Sequence, residues 1–70
     1  MKTTEELLKI AMAGGGFVLD GGRRTTEELV QIATAAKRSG VTLVFRNMAV
    51  RRTESLVRIA AAGKGHVIFE

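Results

Sequence analysis

Apolar positions along the chain follow two different periods, and the switch between them occurs three times. Leu29, Ile32, Ala33 and Ala36 fall at i, i+3, i+4 and i+7, which is one face of a helix. Phe17-Val18-Leu19-Asp20, Leu43-Val44-Phe45-Arg46 and Val67-Ile68-Phe69-Glu70 are short apolar runs, rich in β-branched and aromatic residues and bounded by turn formers. Such runs predict strands. Thr3-Thr4-Glu5-Glu6-Leu7-Leu8-Lys9-Ile10-Ala11 recurs as Thr25-Thr26-Glu27-Glu28-Leu29-Val30-Gln31-Ile32-Ala33, and again as Thr53-Glu54-Ser55-Leu56-Val57-Arg58-Ile59-Ala60. Each copy leads through a glycine break into one of the strands. The chain therefore reads as three tandem αβ units, over about 3–24, 25–52 and 53–70, in a single domain.

Local signals set the helix limits. Thr3 with Glu6, and Thr25 with Glu28, have capping-box spacing. In the third unit Thr53 is the expected N-cap, and no Glu stands three residues on, so that start is weaker. Glu5, Glu6, Glu27, Glu28 and Glu54 occupy first turns, where the helix dipole favours acids. Gly14-Gly15-Gly16, Ser39-Gly40 and Gly63-Lys64-Gly65 supply the stops.

The order α-β-α-β-α-β contains two β-α-β crossovers, which give parallel neighbours and are almost always right-handed. The expected fold class is α/β, a three-stranded parallel sheet in order 1-2-3 with the helices on one face. Period-two alternation then sends Phe17, Leu43 and Val67, and Leu19, Phe45 and Phe69, toward the helix stripe of Leu7, Ile10, Leu29, Ile32, Leu56 and Ile59. The other face receives an apolar row, Val18, Val44 and Ile68, beside a charged row in which Arg46 lies between Asp20 and Glu70. Acid–base–acid pairs across strands are worth roughly 0.2–1 kcal/mol each.

That uncovered face carries the functional expectation. An open sheet face on a monomer is mostly polar, and a repeat array needs at least about three units and polar ends. Self-association into a homo-oligomer is the economical completion, with Val18, Val44, Ile68 and Arg46 as contact residues. Met48 and Val50 join them as candidates. The connection Asn47-Met48-Ala49-Val50-Arg51-Arg52 replaces the glycines of Asp20-Gly21-Gly22-Arg23-Arg24 with apolar residues. Met48 and Val50 either tuck beneath the third helix as a hydrophobic staple or offer a patch to another chain.

A second expectation comes from charge. The formal net charge is +4, and Arg23-Arg24 and Arg51-Arg52 leave strands and enter helix N-termini. Ligands of open α/β sheets bind beyond the carboxyl ends of the strands. The alternative function is thus a module for a small anion, an acidic peptide or nucleic acid, held by Arg23, Arg24, Arg51 and Arg52. Glu27 and Glu28 partly neutralise one of these helix starts. Nucleic acid is the weaker version, because base stacking wants exposed aromatics and the three Phe are needed in the core.

Catalysis has little to stand on. There is no Cys and one His, His66, with only Ser39 near it in the proposed topology, and the carboxylates are engaged at helix starts. Gly14-Gly15-Gly16 precedes a strand, whereas phosphate loops follow one. The expectation is no enzyme, no metal, no cofactor and no small-molecule substrate. Hydrophobic residues make up 46% and charged residues 26%, so the chain folds. No apolar run reaches the roughly 20 residues of a membrane span, and the first residues lack a basic-then-apolar pattern, so secretion is not expected. A cytoplasmic setting is expected for a natural chain.

At the level of plan the chain resembles leucine-rich and related α/β tandem repeats. The likeness covers nearly all residues but is architectural, since Leu43-Val44-Phe45-Arg46-Asn47 puts its Asn one place early for the L-x-x-L-x-L-x-x-N consensus. It implies protein–protein interaction rather than chemistry, by analogy. The regular repeat, without Pro, Cys, Trp or Tyr, also has the look of a designed or engineered self-assembling chain, although Gly14-Gly15-Gly16 and the uneven units depart from an idealised backbone.

Overall fold

A computed structural model describes residues 2–70. The elements alternate as α1 (Thr4–Met12), β1 (Val18–Asp20), α2 (Thr26–Ser39), β2 (Leu43–Arg46), α3 (Thr53–Gly63) and β3 (Val67–Phe69), with one turn of 3-10 helix at Gly21–Arg23. The strands form one parallel sheet in the order β1-β2-β3. The three-unit α/β architecture and its strand order stand as the repeat predicts.

Capping decides where the helices begin. Thr3 and Thr25 both form complete capping boxes, each accepting from the backbone N–H of the glutamate three residues on while that carboxylate accepts from the threonine N–H. The third unit differs from expectation. Its N-cap is Arg52, without a side-chain hydrogen bond, and Thr53 is the first helical residue. The position equivalent to Thr3 and Thr25 is thus filled by a residue that cannot cap, so the helix starts on backbone geometry alone. α2 closes on Gly40, whose φ of 80° places it in the left-handed region where glycine has no Cβ to strain.

The register matches the alternation. Val18, Val44 and Ile68 pair in one row, and Leu19, Phe45 and Phe69 in the next. Leu43 and Phe45 are fully buried against Leu29, Ile32 and Ile59, which puts the helices on that face. The Phe45 and Phe69 rings stack at 6.5 Å. Burial is deepest in the middle unit, because it alone has a neighbour on each side.

Candidate functional site

The uncovered sheet face is the first candidate. Val18 is 62% and Ile68 49% exposed, flanking half-buried Val44. The charged row beside them is only half joined. Arg46 Nε lies 3.6 Å from Glu70 Oε1, both well exposed. Asp20 turns away to accept the Gly22 N–H at 2.9 Å, capping the 3-10 turn. The Asn47 side chain and that N–H hold the Asp20 carboxyl below the usual range. The expected three-member ladder is thereby reduced to one pair.

Met48 and Val50 part company. Met48 is 1% exposed and belongs to the core, where it packs so closely on Gly21 that a Cβ there would stand 2.5 Å from its sulfur. Met48 is therefore corrected from contact residue to core residue. The glycine of one turn and the methionine of the next are complementary, which accounts for the departure between the two connections. Val50 does not tuck in. It is 84% exposed and remains available to a partner.

The four arginines also divide. Arg24 donates to Thr4 Oγ1 at 2.9 Å and to the Lys2 carbonyl at 2.8 Å. Arg51, half-buried, donates to Thr26 Oγ1 at 2.9 Å, to the Gly21 carbonyl at 2.5 Å and to the Arg24 carbonyl. Both span from the start of one unit to the start of the unit before. Two of the proposed anion ligands are thus internal ties, and Arg23 and Arg52 alone are exposed. The hollow beside Arg23 and Arg24 is also lined by Asp20 and Glu28. The Glu28 carboxyl is held low by the Thr25 N–H, the Thr4 and Thr25 hydroxyls and Arg24, so negative charge already sits there. The repeated pairing of an arginine before the cap with a threonine at the first helical position is visible in the sequence, but the spacing of units in space was needed to read it.

His66 Nδ1 lies 3.0 Å from the Val41 carbonyl, the geometry of an N–H donor to that oxygen. Ser39 Oγ donates to the Ala35 carbonyl at 3.0 Å instead of meeting His66. Neither residue is arranged as a nucleophile with its base.

Against protein-family profiles, curated proteins and solved structures, the chain matches none. The architecture is α/β with a parallel sheet, and nothing ties it to the leucine-rich family itself. Among the described residues, no helix is long and apolar enough to cross a membrane.

Proposed function

We propose that this protein is a non-enzymatic, self-associating α/β repeat module whose work is assembly with copies of itself. The supporting observation is the apolar row Val18, Val44 and Ile68 on a sheet face that no helix of the described residues covers. Contiguous apolar surface of this kind marks interaction sites. Exposed Val50 adds to the surface available, and the architectural likeness to repeat proteins points the same way. The anion-binding reading is less favoured, because Arg24 and Arg51 spend their donors inside the fold.

Molar mass in solution, followed through a salt series, tests the reading. Assembly by apolar burial persists or strengthens as salt rises, whereas polyanion binding weakens steeply. Val44→Lys places a charge at the centre of the row and is expected to lower the mass, with the helical spectrum retained. A wild-type protein that stays monomeric at high micromolar concentration would overturn the proposal.

A further inference from the structure

The two internal joints are built alike. The units superpose in sequence on Ile10, Ile32 and Ile59, which places Lys2, Arg24 and Arg51 just before the cap and Thr4, Thr26 and Thr53 first in each helix. At each joint the pre-cap arginine donates to the threonine of the preceding unit, at 2.9 Å both times. Burial sorts with the same regularity. Ala11 and Ala33 are fully buried, whereas Ala60, at their position, is exposed. Leu7 and Leu29 are buried, and Leu56 only partly. These positions face the following unit and are bare only in the third. Conversely, Ile32 and Ile59 are fully buried while Ile10, their counterpart, keeps part of its surface. A Cβ on Gly63, one turn on from Ile59, would lie 3.4 Å from that of Ala33, so this side of each helix faces the preceding unit and is barest in the first. The molecule therefore has two unlike ends, each one half of a joint it already makes twice.

We propose that the third unit of one copy receives the first unit of a second copy, head to tail, continuing both sheet and helix layer. This rests on the self-association reading and adds a second contact, through the ends, to the one through the sheet face. The backbone phase agrees. Leu43 and Phe45 bond across to β3, through Leu43 N–H to the His66 carbonyl and the Phe45 carbonyl to Glu70 N–H, while Val44 N–H bonds back to Phe17. The alternation of parallel strands then aims Val67 and Phe69 at one open edge and Val18 at the other. Those are the groups a continued sheet pairs. Side-chain charge agrees as well. Lys2 stands where the tying arginines stand and reaches toward Thr53. Lys9 occupies the position of Arg58, which meets Glu27 at 3.5 Å, and so comes to Glu54. The apolar groove between Leu56 and Phe69, floored by Met48, is open at the receiving end. One pair opposes the joint: Glu70 would face Asp20 of the next copy, acid against acid. Such a heterologous contact yields rings or filaments, not a two-fold dimer.

Sedimentation or light scattering at high micromolar concentration tests this on the 70-residue chain, with circular dichroism confirming that each variant is folded. Ala60→Arg blocks the receiving end and is expected to lower the mass. Added below stoichiometry, it shortens wild-type assemblies, since its first unit still docks and nothing adds behind it. Glu54→Lys weakens the joint independently, and Lys9→Glu in the same chain restores it. Asp20→Asn removes one of the two opposing acids while its side-chain oxygen still accepts from Gly22 N–H, and tightens association about two- to fivefold. Assemblies indifferent to Ala60→Arg and Glu54→Lys overturn the end joint. If Val44→Lys alone disperses those assemblies, self-association stands through the sheet face. A wild-type monomer at every concentration overturns both.

Discussion

At the scale of single residues, Arg51 does the most. Its guanidinium reaches Thr26, Gly21 and Arg24, joining the start of α3 to the start of α2 and to the connection between β1 and α2. Hydrogen bonds to charged groups contribute about 1.5–3 kcal/mol, and a core of this size supplies only about 3–5 kcal/mol. Arg51→Ala is therefore expected to cost about 2–3 kcal/mol in urea unfolding, leaving much of the population unfolded at room temperature. Arg51→Lys does not restore it, because an ammonium on a flexible stem cannot span three acceptors as the planar fork does. Arg24→Ala costs less, about 1 kcal/mol, since Lys2 is exposed and water replaces the lost donor there. A loss smaller for Arg51 than for Arg24 would contradict this ranking. These roles were not legible beforehand for a physical reason. An arginine beside a helix start has the same local sequence whether its fork points to solvent or to the adjoining unit, and only the inter-unit distance decides.

Among the elements, the helices and strands themselves were readable, because each rests on short-range chemistry. Thr25 with Glu28 specifies a start, Gly40 specifies a stop, and the period-two runs specify which strand residues meet the helices. Elements failed to match where a short-range signal competed with the repeat. Thr53 is a good capping residue, yet Arg52 takes the cap because the repeat phase, set by Leu56 and Ile59 packing inward, puts Thr53 one place too late. The same phase makes a test. Arg52→Thr gives α3 the cap its two siblings have, and Ser55→Glu completes the box. N-cap replacements of this kind contribute about 0.5–2 kcal/mol, which for a domain of this length raises Tm by roughly 4–8 °C per kcal/mol. The expected result is a higher melting temperature for the single variant and a further rise for the double. No rise would mean that the third helix is held by packing alone and that its bare start costs nothing.

For the molecule as a whole, the gradient of burial is the governing fact. Leu29, Ile32, Leu43 and Phe45 of the second unit are fully buried, whereas Ile10, Phe17, Leu56, Val67 and Phe69, at matching positions of the flanking units, keep part of their surface. Solenoid stability is close to a sum of unit terms and neighbour terms, and the outer units each lack one neighbour. Local opening follows few apolar contacts. Amide exchange in dilute solution is therefore expected to be slowest in α2 and β2 and faster at both ends. Raising the protein concentration separates the two ways copies can meet. Packing through Val18, Val44 and Ile68 side chains covers the sheet without adding a backbone hydrogen bond. End-to-end joining pairs the amides of Val18 and Phe69, which point out of the open edges. Slowing at those two positions in step with the rise in mass assigns association to the ends. A rise in mass while both keep exchanging at the dilute rate assigns it to the face, because side-chain burial alone leaves an edge N–H with water as its acceptor.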